Sequence, residues 1–259
     1  MGRNTLDSAI DSVFEQTLPP SEVIVVAGNE PIISTENRSR VRIIEKGLDD
    51  RTWWNAAHNR NLGVLHASSE YVALLDDDDL WLPNKMEVQI DFLASHPNHV
   101  SICSAIYRFN NGKQLLRPKK ILKENDEVLE VLYASKRFRR FPYYLPTPGT
   151  VLRREVALSI PQDETLKTFE DIWWFYELQA KGFTITQSAQ VLVTVNAAPM
   201  RSLSRDSFEK NILWAKRLSK VSRKYGKNYL IGCCFRNALA SRHWSDAIRY
   251  LLVWRKLNL

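Results

Sequence analysis

Four consecutive carboxylates, Asp76-Asp77-Asp78-Asp79, follow directly on the apolar run Tyr71-Val72-Ala73-Leu74-Leu75. A short run that is apolar on both faces reads as a buried strand, and open α/β sheets gather their ligands at the carboxyl ends of such strands. Clustered carboxylate oxygens suit a hard divalent cation, Mg²⁺ or Mn²⁺, held by one or two acids while water and substrate phosphate fill the remaining positions. The alternative is an acidic turn that caps a helix opening at Pro83. Other chemistry is less well supplied. The five histidines have no metal-ligand spacing, no Gly-rich phosphate loop is present, and Cys103, Cys233 and Cys234 lack a C-x-x-C pattern, so they read as reduced structural thiols.

The elements that must position these acids alternate. Leu6, Ala9, Ile10, Val13 and Phe14 fall at helical spacing, with Asn4 or Thr5 as the cap and Leu18-Pro19-Pro20 as the stop. Val23–Val26 and Val41–Ile44 read as strands, Ala56–Leu65 as a helix, and Tyr71–Leu75 as the strand that delivers the aspartates. A helix from Pro83 to Ala94 and a strand over Val100–Tyr107 follow. Residues 108–148 are less regular, with basic clusters at Arg117–Lys120 and Lys136–Arg140 around a helix near 125–135. A strand at Thr150–Leu152, a helix from Glu170 to Gly182 and a β segment over Phe183–Val195 complete this part, and residues 207 onward are helical with a break near Gly226. This order predicts an α/β fold with a Rossmann-like, mostly parallel sheet flanked by helices.

The chain has 259 residues, 44% hydrophobic and 25% charged, which excludes disorder, collagen and a disulfide scaffold. Residues 1–200 carry 22 Lys/Arg against 26 Asp/Glu, whereas residues 201–259 carry 14 against 3. The tail is therefore a basic helical extension. Trp214, Leu218 and Val221, and later Ala247, Tyr250, Leu251 and Trp254, give its helices apolar faces that suit either an anionic bilayer or packing in a core. No apolar run reaches membrane-spanning length and no signal core opens the chain, so a cytoplasmic location is expected, peripheral on the inner face of the membrane if the tail binds lipid.

Asn61-Leu62-Gly63-Val64, Ala67 and Glu70 through Pro83 together resemble the family 2 glycosyltransferases. Thr5-Leu6, Ala9-Ile10, Ser12-Val13, Gln16-Thr17, Pro19-Pro20 and Glu22–Val26 are similar to that family's first helix and second strand, and Phe169-Glu170-Asp171 to the acidic pair before its acceptor-side helix. The resemblance covers residues 3–200. It implies a GT-A fold over 1–204, with a donor half near 1–100 and an acceptor half near 101–204, followed by the extension at 205–259. It also implies inverting transfer of a sugar from a nucleotide-diphosphate donor, UDP-sugar favoured, to a glycan or lipid-linked hydroxyl in cell-surface polysaccharide or glycolipid synthesis. On the matching positions, Asp76 would meet the donor's ribose, Asp78 the metal, and Asp79 the loop or the sugar, with Arg60 near the donor or in a helix-surface ion pair. Asp171 matches the general base. Glu170, Trp173, Trp174 and Thr150 are candidates for the acceptor side, the tryptophans as stacking faces or as core.

Two departures shape the expectations. The family's apolar first strand has no counterpart after Met1, which predicts an in-frame apolar segment upstream. Ala27-Gly28 stand where an acidic pair is usual, so the base pocket is not readable. Two other function classes remain open: a degenerate relative that binds sugar or a partner without turnover, and a basic lipid- or nucleic-acid-surface binder, although no nucleic-acid partner is expected.

Overall fold

The computed structural model describes residues 5–28, 31–45, 55–109, 111–134, 144–166, 168–197 and 208–256. Asn4 and the cluster Lys136–Arg140 lie outside them. The chain forms two compact units, Met1–Asn125 with Tyr144–Ala197, and Asp126–Tyr143 with Ala198–Leu259.

The first unit opens with α1 (Leu6–Phe14), which buries Ala9, Ile10 and Val13 on the face that the apolar spacing predicts. Thr5 is not a side-chain cap: its hydroxyl is buried without a hydrogen-bond partner. There follow β1 (Ile24–Ala27), α2 (Thr35–Arg40), β2 (Arg42–Glu45), α3 (Ala56–His66), β3 (Tyr71–Ala73), β4 (Leu80–Trp81), α4 (Lys85–Ser95), β5 (His99–Phe109) and β6 (Gln114–Arg117). In the second unit lies α5 (Val128–Tyr133). The first resumes with a 3₁₀ turn at Thr147–Gly149, β7 (Thr150–Arg153), α6 (Arg154–Ser159), α7 (Glu170–Ala180) and β8 (Thr184–Ala197). Side-chain oxygens of Ser34 and Asn55 cap α2 and α3, accepting from the N–H groups of Asn37 and His58.

The strands fall in two sheets. β1 and β2 pair in parallel, and a second sheet runs β3-β7-β5-β8-β4 with β6 on β5. Within the second sheet only β5 and β8 are parallel. Of the mostly parallel character expected, the described residues show two parallel pairs, β1–β2 and the longer β5–β8, while the other pairings of the second sheet are antiparallel.

Val23–Gly28 and Tyr71–Asp77 border a common cleft of about 930 Å³, walled by Ala9, Ile10 and Val13 of α1 and by Ala56, Gly63 and Val64 of α3. Glu22 accepts from the backbone and hydroxyl groups of Ser68 and Ser69, and the Ser21 and Ser69 hydroxyls are 2.7 Å apart. These bonds tie the amino ends of β1 and β3 together, so the strands run in the same sense on either side of the cleft.

In the second unit α5 is joined by α8 (Phe208–Val221), α9 (Arg223–Tyr229), a π-helical turn at Leu230–Phe235, α10 (Arg236–Ala240) and α11 (Trp244–Lys256). Trp214, Leu218, Ala247 and Tyr250 are buried there with Tyr133 and Tyr229. Of the two uses open to these apolar faces, packing takes these four tail residues, Trp214, Leu218, Ala247 and Tyr250, while Val221 is exposed and Leu251 and Trp254 are half-buried. Tyr133 lies edge-on to Trp214 and Tyr229, and Asn228 donates to its carbonyl, which is why residues 126–143 group with the tail rather than with the acceptor half. The expected break at Gly226 is at Ser222 instead. A Cβ at Gly226 would stand 2.0 Å from the Ser219 hydroxyl oxygen and 2.4 Å from the Ala215 carbonyl, so this glycine permits the close approach of α8 and α9.

Candidate functional site

The acid run turns sharply after β3. The Asp79 N–H donates to the Asp76 carbonyl at 3.2 Å, closing the turn, and the four side chains separate. Asp77 is exposed, Asp76 and Asp78 are half-buried, and Asp79 points inward. There Asp79 Oδ1 accepts from the Asn196 N–H at 2.9 Å, while Asn196 Nδ2 donates to the Asp78 carbonyl at 2.6 Å. The end of β8 thus grips the loop through one residue. Burial pushes the Asp79 carboxyl up to about 7; the Asn196 N–H works against this, and the neighbouring aspartates reinforce it. Of the two roles expected for Asp79, this geometry supports loop orientation.

Arg60 projects from α3 between two carboxylates distant in sequence. Its guanidinium lies 2.9 Å from Asp76 Oδ1 and 3.2 Å from Glu170 Oε1, with Gln162 Oε1 at 3.3 Å. Its partners come from a strand end and from the start of α7, so this is no ion pair along the surface of its own helix. Burial works against its charge; Asp76 and Glu170 outweigh that and raise its affinity for the proton. One cation therefore ties the acid loop to the second acidic pair.

α7 begins directly after Phe169, which sits in the left-handed region at φ 63°. A bulky residue there costs roughly 1–3 kcal/mol, strain that the surrounding packing must hold. Asp171 Oδ2 accepts from the Thr147 hydroxyl at 3.2 Å, and Oδ1 lies 2.7 Å from the Ile172 N–H. Burial, then the charge of Glu170, pushes its carboxyl up to about 6 against the pull of Arg60 and these two donors. A carboxylate tuned this way is mostly ionised at neutral pH and still able to accept a proton. Tyr107 and Tyr144 stack edge to face with centroids 5.1 Å apart, and burial foremost holds both phenols protonated. The charges of Asp171 and Asp79 act on both rings in the same direction.

Asp76, Asp78, Asp79, Arg60, Glu170 and Asp171 are thus brought together. Trp173 and Trp174 are not open ring faces: both are buried, and their indole N–H groups donate to Glu177 and to the Ile160 carbonyl. Thr150 is fully buried with its hydroxyl on the Pro146 carbonyl, so it lines no acceptor surface. The residue of that turn that reaches the acids is Thr147, three positions earlier. Thr147, Gln162, Asn196 and the tyrosine pair were missed in the sequence; Thr147 borders the Pro-Gly turn already singled out, while Asn196 carries no local signal.

Among the described residues no three His, Cys, Asp or Glu side chains converge as a ready-made metal cage. The residue type nonetheless suits Mg²⁺ or Mn²⁺: Asp78 offers a half-buried carboxyl group, the hard oxygen donor these cations take.

Residues 2–212 match the model for glycosyl transferase family 2. Among curated proteins, an uncharacterized glycosyltransferase of Rickettsia bellii is 37% identical over 95% of this chain and 37% of its own length. The Escherichia coli UDP-Glc:alpha-D-GlcNAc-diphosphoundecaprenol beta-1,3-glucosyltransferase WfgD is 30% identical over 44% of each chain. This chain therefore spans less than half of either relative. Among solved structures, S. aureus TarS 1-349 in complex with UDP-GlcNAc superposes with a TM-score of 0.65 at 14% identity, over 98% of this chain and 78% of that one.

Proposed function

The chain belongs to glycosyl transferase family 2 and has a GT-A fold, and from that premise we propose that it transfers a sugar, with inversion, from a UDP-sugar to a hydroxyl of a glycan or lipid-linked acceptor in cell-surface polysaccharide synthesis. The observation that carries this reading is the Arg60 bridge, which sets the acid loop and the Glu170-Asp171 pair in one site. The relatives' printed donors, UDP-Glc for WfgD and UDP-GlcNAc for the TarS complex, favour uridine.

In this reading residues 1–100 bind the donor, residues 101–125 and 144–197 the acceptor, and residues 126–143 and 198–259 form a separate helical unit. Asp76 binds the ribose, with Arg60 aligning it. Asp78 holds the divalent cation, which when bound neutralises charge on the diphosphate leaving group. Asp79 and Asn196 fix the loop. Asp171, ionised above about pH 6, takes the proton of the acceptor hydroxyl, and Thr147 orients the carboxylate. The acceptor oxygen then bonds to the anomeric carbon from the face opposite the departing diphosphate. Glu170 keeps Arg60 in place on the acceptor side. The reaction takes place at the inner face of the membrane if the acceptor is lipid-linked.

The first test is a thermal-shift panel of nucleoside diphosphates with and without Mn²⁺. A ligand at 100 times its dissociation constant adds about 2.7 kcal/mol of stability. UDP with Mn²⁺ is expected to stabilise more than either alone; no stabilisation by any nucleotide removes the proposal. A relative that binds without turning over gives the same shift but no released UDP when donor and acceptor are supplied.

A further inference from the structure

α11 buries Ala247 and Tyr250 and turns another face outward. On that face Trp244, Ile248 and Leu252 are 63%, 61% and 51% exposed. Their i, i+4, i+8 spacing makes one stripe about 12 Å long at about 1.5 Å rise per residue. Exposed Arg242 precedes the stripe, and exposed Arg255 and Lys256 end it. The acid of this helix, Asp246, lies off the stripe and pairs with Arg249 at 3.3 Å.

A narrow apolar stripe between cations, with tryptophan at one end, matches the chemistry of a lipid interface. A stable protein partner would want about 800 Å² of surface on each side, more than three side chains of one helix supply. The charge argues the same way, since the 14 Lys/Arg against 3 Asp/Glu in residues 201–259 repel a second copy of this unit and attract acidic headgroups. We propose that this face of α11 docks on an anionic lipid bilayer. The helix lies in the membrane plane, with Trp244, Ile248 and Leu252 at the boundary of headgroups and acyl chains and Arg242, Arg255 and Lys256 among the phosphates. This face is distinct from the buried one on which the sequence suggested lipid contact. The proposal does not rest on the donor reading.

The test is co-flotation of the full chain with vesicles of phosphatidylcholine alone and of phosphatidylcholine with 30% phosphatidylserine, at roughly 0.05 and 0.5 M salt. Binding is expected on the anionic vesicles only and should weaken at high salt. Arg255→Gln with Lys256→Gln should each weaken it about 5-fold. Trp244→Ser/Ile248→Ser/Leu252→Ser should abolish it while leaving the thermal transition in place, because each of the three residues is more than half exposed. Trp244→Phe serves as the conservative control and should retain binding. Equal binding to neutral vesicles, wild-type binding by the triple variant, or no flotation by a chain that is instead dimeric through this stripe would each overturn the proposal.

Discussion

Replacing Asp79 by asparagine should stabilise the protein, and increasingly so as pH rises. The side chain is 3% exposed and its carboxyl is pushed from 3.8 up to about 7. Below pH 4 the acid is protonated in both the folded and the unfolded chain. Between about 4 and 7 the unfolded chain has released the proton while the folded site keeps it, so this group's contribution to stability falls with rising pH and is lost once the folded carboxyl ionises. At about 1.4 kcal/mol per unit, the interval from pH 5 to 7 is worth about 3 kcal/mol. Asp79→Asn keeps the shape and an oxygen for the Asn196 N–H, but does not titrate and removes repulsion with Asp76, Asp77 and Asp78. The assay is urea unfolding of both proteins from pH 5 to 8 in a chelator, which keeps divalent cations off the loop. The stability difference in favour of the variant should grow by about 3 kcal/mol over that range, or roughly 6–12 °C in melting temperature for a unit of this size. A difference flat to within about 0.5 kcal/mol would refute the inward, desolvated placement of Asp79.

Asp171→Asn keeps shape and helix capping but cannot take a proton; single-turnover transfer should fall about 10²–10⁴-fold while UDP affinity is unchanged, and a loss of only a few-fold would take the base away from Asp171. Arg60→Gln removes the cation that holds the Asp171 carboxyl down, so the acidic limb of the pH–rate profile should move above its wild-type position near 6; an unmoved limb would mean that Arg60 does not act on the base. Asp78→Ala should erase the joint stabilisation by Mn²⁺ and UDP in a thermal-shift assay while exposed Asp77→Ala largely keeps it, and the reverse ranking would shift the metal ligand by one residue. By hydrogen exchange, amides of Ile24–Ala27 and Tyr71–Ala73 that face the cleft should exchange well before those of Ile102 and Ala105, which lie between paired strands; equal protection would mean that the cleft edges are covered.

The acid run was legible because charge ends an apolar strand abruptly, and Glu170-Asp171 because it opens a helix whose stop is a glycine. What tied them together was not. Arg60 stands 16 residues before Asp76 and 110 before Glu170, and nothing in local periodicity says that a helix-borne arginine will bridge such a gap. Asn196 is hidden for the same reason: its grip on Asp78 and Asp79 depends on the register of β8 beside β4. The tail shows the other limit. Periodicity located the apolar faces of α8 and α11 through Trp214, Leu218, Ala247 and Tyr250, but a stripe facing a protein core and one facing lipid obey the same spacing. Only the fold separates them, and it shows that the water-facing stripe is the one formed by Trp244, Ile248 and Leu252.

The position of Arg60 has a thermodynamic corollary. One guanidinium is shared between Asp76 and Glu170, and its field also reaches Asp171. If, as proposed, a donor ribose engages Asp76 and draws it from the guanidinium, more of that positive charge is left to the pair on α7, which favours the ionised form of Asp171. By reciprocity, a proton arriving on Asp171 must loosen the hold on whatever occupies Asp76 by the same free energy. Under the proposed roles, donor loading and base readiness are then two readings of one linked equilibrium.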